Sequence, residues 1–84
     1  MEVMKILEEI EYRVLGKFFK GTEPIAVKLQ DVKSWQKEEK ATLKRFLEEG
    51  LCFCRYDQIF LTDAGINIFF TEKAIRELSK EETT

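Results

Sequence analysis

The chain has 84 residues, of which 44% are hydrophobic and 36% charged, and its formal net charge is −2. A chain of this length and composition is expected to form one globular domain over residues 1–84, which excludes a disordered protein. Its uncharged apolar runs fall far short of the ~20 residues that cross a bilayer, so no membrane partner is expected. No signal-peptide pattern opens the chain, which predicts a cytoplasmic location and reduced thiols.

The charge is unevenly distributed, and the inventory of reactive side chains is poor. Residues 25–56 sum to +2, whereas the first 24 residues sum to −1 and the last 28 to −3. The chain has no histidine, and its four glycines are scattered, so no imidazole base and no glycine-rich phosphate loop is available. We therefore predict that the protein is not an enzyme, and that it uses no cofactor and no small-molecule substrate.

Residues 1–20 predict a first helix that ends at Gly21. At about 100° per residue, its main apolar stripe consists of Val3, Ile6, Leu7, Ile10, Val14 and Phe18. A second apolar strip beside it is made of Met4, Leu15 and Phe19. This strip fits either a wide core-facing surface or part of a dimer interface.

The next stretch is less clearly marked. Thr22 is predicted to cap a second, short helix with Pro24 in its first turn. The apolar residues up to position 32 fit neither the helical nor the strand period, so an extended conformation for part of the stretch stays open. Ser34 is predicted to cap a third helix, Lys37–Glu49, which ends at Gly50. Its predicted buried side chains are Leu43, Phe46 and Leu47.

After Gly50 the hydrophobic period changes to two. The segments "LCFCR" and "IFLT" predict the strands of a hairpin, with "YDQ" as the tight connection. Thr62 or Asp63 is predicted to cap a last helix that runs to about residue 81, with residues 82–84 frayed. The predicted core stripe of this helix is Ala64, Ile68, Thr71, Ile75 and Leu78. This leaves Ile66, Phe69 and Phe70 pointing away from the core. Alternatively, residues 66–70 form a third strand and Thr71 caps a shorter helix.

Two segments resemble parts of a known kind of domain. Residues 43–52, "LKRFLEEGLC", resemble the end of the recognition helix and the entry into the first wing strand of a winged-helix (winged helix-turn-helix) DNA-binding domain. Residues 59–65, "IFLTDAG", resemble the second wing strand and the cap of the next helix in small archaeal and bacterial transcription regulators. The expected fold is mainly α with a short β-hairpin (α+β), in the order helix-helix-helix-strand-strand-helix. The wing loop "RYDQ" is very short for this type.

The resemblance implies that the third helix enters the major groove of double-stranded DNA and that the wing contacts the backbone or the minor groove. The residues that we expect to contact DNA are Lys33, Ser34, Gln36, Lys37, Lys44, Arg45, Arg55 and Tyr56. Arg45 is placed to reach a guanine edge. Glu38 and Glu48, on the same helix face, would repel phosphates.

A monomer with three or four phosphate contacts binds weakly, so a homodimeric transcription regulator is predicted, with its interface formed by Met4, Leu15, Phe19, Ile66, Phe69 and Phe70. The alternative is a winged-helix module for protein–protein assembly that does not bind DNA.

Cys52 and Cys54 lie two residues apart on a strand and are predicted to share one face, packed as small apolar side chains. A reversible thiol switch stays open. A zinc site would require a dimer that pools four thiols, so no metal is expected. For Trp35, we weigh a base-stacking role against an anchor between the second and third helices, and the anchor is favoured because tryptophan buries a large area.

Overall fold

The computed structural model describes residues 7–82 and shows a small α+β domain in which helices pack on one face of a three-stranded antiparallel sheet. This agrees with the predicted mixed class. In chain order the elements are α1 (Glu9–Gly16), β1 (Phe19–Lys20), β2 (Glu23–Pro24), β3 (Val27–Lys28), α2 (Leu29–Val32), α3 (Lys37–Glu49), β4 (Cys52–Arg55), β5 (Gln58–Leu61) and α4 (Asp63–Glu82). No helix within residues 7–82 is long and apolar enough to cross a membrane.

The first helix is shorter than predicted. It begins after Glu8, whose backbone N–H donates to the Glu11 carboxylate at 2.7 Å in a capping box. It ends at Gly16, because Phe18 turns into the core, where it is fully buried. The predicted end at Gly21 is therefore wrong: Gly21 lies in the turn of the β1–β2 hairpin. Residues 1–6, where the prediction began the helix, lie outside the described residues.

The segment before α2 is extended rather than helical. Thr22 does not cap a helix, and Pro24 lies on β2, paired with Phe19. Val27 and Lys28 form β3, so the extended alternative is correct here, and the helix that follows is only four residues long. Contacts with residues distant in sequence determine the conformation of this segment. For example, the Leu29 N–H donates to the Asp57 carbonyl 2.9 Å away in the β4–β5 turn.

Helix α3 has the predicted bounds, Lys37–Glu49. Its N-terminal cap is Gln36 and not Ser34: the Gln36 N–H donates to the Glu39 carboxylate at 2.9 Å, in a capping box. Gly50 ends the helix with φ at 80°, a left-handed conformation that glycine adopts without strain. Leu43 and Phe46 are buried as predicted, but Leu47 is 36% exposed and Thr42 is buried in its place.

The predicted β4–β5 hairpin is confirmed, and a third strand joins it. The strand order is β3-β5-β4, and both pairings are antiparallel. One face of the sheet packs on the helices and buries Val27, Cys52, Ile59 and Leu61. The opposite face is described below with the candidate site.

The last segment is a helix, as favoured, and not a third strand over residues 66–70. Thr62 caps it: its hydroxyl oxygen accepts the Gly65 N–H at 3.2 Å and donates its own proton to the Gly50 carbonyl at 2.7 Å. Its predicted core stripe is wrong, because the buried residues are Gly65, Phe69 and Glu72. Of the predicted stripe, Ile68 and Ile75 are half-buried, while the exposed members are Ala64, Thr71 and Leu78.

Two contacts set the rotation of α4. A β-carbon at Gly65 would overlap the carbonyl oxygen of Leu51, so the helix approaches the start of β4 with glycine facing it. The fully buried Glu72 accepts the Leu7 N–H at 3.0 Å and the Arg76 Nε–H at 2.7 Å. Arg76 also donates to Glu9 on α1. Neither contact is hydrophobic. The spacing of apolar residues in the sequence therefore did not predict which face of α4 is buried.

The residues predicted to form a dimer interface pack largely within the single chain. Leu15 is 0% exposed and Phe69 is 7% exposed. The Phe19 ring stacks on Phe69 with ring centroids 4.3 Å apart, and Phe70 meets Phe19 edge-on at 5.2 Å. Ile66 is half-buried against the same core, and Met4 lies outside the described residues. The surplus apolar surface that led to the dimer prediction is therefore absent at Leu15 and Phe69, and the dimer itself stays a prediction.

Candidate functional site

Helix α3 is fixed to α1 through a buried carboxylate. Besides the Gln36 N–H, the Glu39 carboxylate pairs with Arg13 Nε at 3.3 Å and Lys17 Nζ at 3.5 Å. The backbone N–H of Gln36, helped by these two cations, lowers the pKa of Glu39, although burial opposes the shift. This arrangement turns one side of α3 towards α1 and leaves the other side in solvent.

The solvent side of α3 carries a row of lysines. Lys37, Lys40 and Lys44 are spaced three and four residues apart, so they share one face, which we call the lysine stripe. All three side chains are exposed, and Ala41 between them is exposed and small. Within the described part of the chain, no ion pair engages any of these three ammonium groups. Glu48, one turn further on, is the acidic residue that continues this face.

The sequence prediction for this helix was partly right. Lys37 and Lys44 lie on the stripe as predicted, but Lys40 was missed, although its spacing from both was visible in the sequence. Arg45 does not project outward with them: it forms an ion pair with Glu11 of α1, and its guanidinium lies over the Phe46 ring at 5.7 Å. Arg45 is therefore engaged with α1 in this structure, and its predicted contact with a guanine edge stays a prediction.

Ser34 and Gln36 have local structural contacts. The Ser34 hydroxyl donates to the Asp31 carbonyl at 2.8 Å, at the end of α2, and Gln36 caps α3. Trp35, between them, is half-buried with its ring edge-on to Phe18 at 6.2 Å, and the Lys17 ammonium lies 5.1 Å from its centre. These contacts are with residues that follow α1, so they support a packing role for Trp35, and its anchoring of α2 against α3 stays a prediction.

A second feature is an open groove of about 730 Å³ between α2 and the tip of the β4–β5 hairpin. It brings together Lys33 and Tyr56, which were both predicted site residues, and adds Lys28, which was missed. The remaining lining residues are Leu29, Gln30, Asp57 and Gln58. Tyr56 is 86% exposed with φ at 58°, and the Arg55 guanidinium lies 5.6 Å from its ring centre. The hairpin tip is thus docked against the start of α2 and presents cationic and aromatic groups around one groove.

The two cysteines differ in environment. Cys52 is buried, and burial raises the pKa of its thiol to about 12, which fits the predicted packing role. Cys54 is exposed, contrary to the prediction, and its thiol donates to the Tyr56 carbonyl at 3.6 Å. Among residues 7–82, no group of three or more Cys, Asp or Glu side chains is arranged to hold a metal ion.

Comparisons with protein-family models, with curated proteins and with solved structures found no match to this chain. The candidate site is therefore argued from its geometry and charge alone.

Proposed function

We propose that this protein is a winged-helix-type domain that binds double-stranded DNA, with α3 in the major groove and the β4–β5 hairpin as a short wing. The local order supports this, since α2 and α3 are joined by the four residues 33–36, a length typical of helix-turn-helix units. The hairpin follows α3 directly, where the wing is expected. A cytoplasmic, dimeric transcription regulator remains our prediction for its biological role.

The observation that carries the proposal is the lysine stripe. Three ammonium groups without carboxylate partners among the described residues, on the one face of α3 turned away from α1, form a compact cationic surface on a helix. When a helix lies in the major groove, the cations along its inserted face are close to the phosphates of both DNA strands. Ala41, in the middle of the stripe, lets the helix approach base edges and is suited to contact a thymine methyl group.

The groove adds a second place of contact. Lys33 begins the turn into α3, and Lys28 and Tyr56 line the same groove. A phosphate there would be met by two ammonium groups, while Asp57 partly offsets their charge. The lysine stripe is therefore assigned the main contact, and the groove an additional contact with the backbone.

The decisive experiment compares two neighbouring cations. Lys44 lies on the lysine stripe, whereas Arg45 is directed towards α1, so Lys44→Gln and Arg45→Gln remove the same charge from different faces. Binding of a labelled 20-base-pair duplex of random sequence is measured by fluorescence anisotropy over a range of salt concentrations. We expect Lys44→Gln to lower the salt slope, d log K/d log [salt], by about 0.9, the value for one phosphate contact, and Arg45→Gln to leave it unchanged.

Equal changes in the salt slope for Lys44→Gln and Arg45→Gln would contradict the assignment of the lysine stripe as the main DNA contact. No binding by the parent protein even at low salt would contradict the whole proposal. It would leave the protein–protein assembly module as the working hypothesis. That alternative has lost part of its original support, because Phe69 and Leu15, which suggested surplus apolar surface, are buried within the chain.

A further inference from the structure

The outward face of the three-stranded sheet has its own arrangement of side chains. Lys28 on β3 pairs with Gln58 on β5, and Gln58 pairs with Arg55 on β4, so these three residues form one row across the sheet. Paired residues on antiparallel strands share a face, and residues two apart on one strand do as well. Phe53 and Phe60, which pair with each other, therefore form the next row of this face.

The two phenylalanines are not part of the core. Their rings stack with centroids 5.3 Å apart and planes at 18°, and Phe53 is 44% exposed. Neither ring belongs to the side chains that form the described core or pack against it. Phe60 is half-buried, so the pair presents mainly the Phe53 ring on an outward sheet face that the fold does not need for its own core.

Positively charged side chains lie on one side of the Phe53–Phe60 pair. Lys28 and Arg55 are both exposed, with the half-buried Gln58 amide between them, and within the described residues neither cation forms an ion pair. Lys28 and Gln58 also line the groove that contains Lys33. A third cation therefore lies next to this row of residues. The groove contributes one carboxylate, that of Asp57. Aromatic rings next to a line of cations complement a ligand that has flat apolar faces and regularly spaced negative charges.

We propose that this sheet face binds single-stranded nucleic acid, with a base stacked on Phe53 and the adjacent phosphates at Lys28 and Arg55. In a duplex the faces of the bases are already stacked on one another, so a flat aromatic platform selects unpaired bases. The Gln58 amide lies between the two cations and is suited to hydrogen-bond a base edge. The site is separate from the lysine stripe and does not depend on the duplex-binding proposal.

The test uses labelled 15-nucleotide oligothymidylate and oligouridylate, titrated by fluorescence anisotropy. Phe53→Ile keeps an apolar side chain that favours a strand but removes the aromatic ring, while Phe53→Tyr keeps the ring. We expect Phe53→Ile to weaken binding about tenfold and Phe53→Tyr to bind as the parent does. Arg55→Gln is expected to reduce the salt slope by about 0.7, the value for one phosphate on a single strand.

A spectroscopic measurement reports stacking directly. The parent protein has a single tryptophan, Trp35, which lies beside Phe18 and away from the sheet face. In the variant Phe53→Trp, the additional indole should be quenched on addition of oligothymidylate, and the parent protein provides the background signal. Quenching confined to the variant supports a base stacked at this position, and no difference from the parent overturns it.

The outcomes separate the two proposals. Oligomer binding that is sensitive to Phe53→Ile and insensitive to Lys44→Gln supports the sheet-face site, whatever the duplex does. Oligomer binding that responds to Lys44→Gln and not to Phe53→Ile overturns it and assigns single strands to the lysine stripe. Absence of oligomer binding at low salt also overturns the sheet-face proposal. If the Phe53 surface instead binds a protein, this absence of oligomer binding is the expected result. Duplex binding can fail without affecting any of these results.

Discussion

Glu39 provides a quantitative test of how α3 is held in place. Glu39→Ala removes the acceptor for the Gln36 N–H and leaves Arg13 and Lys17 without this carboxylate. The lost helix cap, which is the charge-assisted hydrogen bond from Gln36, costs about 1–2 kcal/mol, and the two half-exposed ion pairs together add about 1 kcal/mol. We therefore expect a destabilisation of about 2–3 kcal/mol. For a domain of this size that corresponds to a fall in Tm of about 10–20 °C.

Glu39→Gln isolates the charge, because glutamine still accepts the Gln36 N–H and still fits a capping box. The folded protein lowers the pKa of Glu39 from its ordinary value of 4.5. The ionised carboxylate therefore adds stability above the unfolded-state pKa, and this contribution is lost as the pH falls through the folded-state pKa. The parent protein should exceed Glu39→Gln by about 1 kcal/mol at pH 7, and this gap should shrink steadily below pH ~4.5.

The assay is urea unfolding at pH 7 and at several lower pH values, followed by circular dichroism, with equal m-values as the condition for comparing free energies. A gap between the parent and Glu39→Gln that stays constant down to pH 3 would refute the electrostatic account. A loss of less than about 0.5 kcal/mol in Glu39→Ala, the range of neutral surface changes, would refute the structural account as well. The second result would mean that the apolar contacts of α3 are sufficient to orient it.

Two further outcomes follow from close packing and from burial. Gly65→Ala should cost about 1–3 kcal/mol in chemical unfolding because the added methyl group would overlap a backbone carbonyl. Gly16→Ala is the matched control: its β-carbon would lie 3.7 Å from the Phe69 ring, an ordinary contact, so equal losses in the two variants would contradict the explanation. A thiol reagent at pH 8 should label Cys54 alone in the folded protein, because burial raises the pKa of Cys52 to about 12. Labelling that survives Cys54→Ser at the same rate would show that the Cys52 environment opens.

The elements that were predicted correctly are those whose signals are local. Helix α3 has a hydrophobic face of period 3.6 and a glycine in the left-handed conformation directly after Glu49. The β4–β5 hairpin has alternating strands and a short polar turn. Both depend on residues within a few positions of each other, so the sequence was sufficient.

The errors arose where distant contacts determine the structure. Pro24 and Val27 are in strands because Phe19 and Ile59 pair with them. The face of α4 is set by the backbone beside Gly65 and by buried hydrogen bonds to Glu72, and neither produces an apolar pattern. Periodicity alone assigned Phe69 to the surface for the same reason.

The candidate site shows the same division. The presence of lysines on α3 followed from the helical spacing, but the separation of Lys44 from Arg45 required the position of Glu11 on another helix. The groove that unites Lys28, Lys33 and Tyr56 exists only because β3 pairs with β5 and α2 meets the hairpin tip. A charged residue at a helical position is therefore predictable from sequence, whereas its availability to a ligand is not.

The number of copies that bind one duplex can be derived from the same salt titration. Three phosphate contacts from the lysine stripe of one copy predict a salt slope of about −2.7, which is a loss of about 40-fold in affinity between 50 and 200 mM salt, and the additional groove contact brings the slope to about −3.6. Two copies bound together would double these slopes, to about −5.4 from the stripes alone and about −7.2 with both grooves. Leu15 and Phe69 are internal, whereas Leu78 on α4 is 61% exposed, so Leu78 is the apolar residue of α4 that a second copy would reach most easily. A slope of about −5.4 to −7.2 that is halved in Leu78→Asp would identify α4 as the contact between copies, whereas a slope of about −2.7 to −3.6 in the parent protein would contradict dimeric binding.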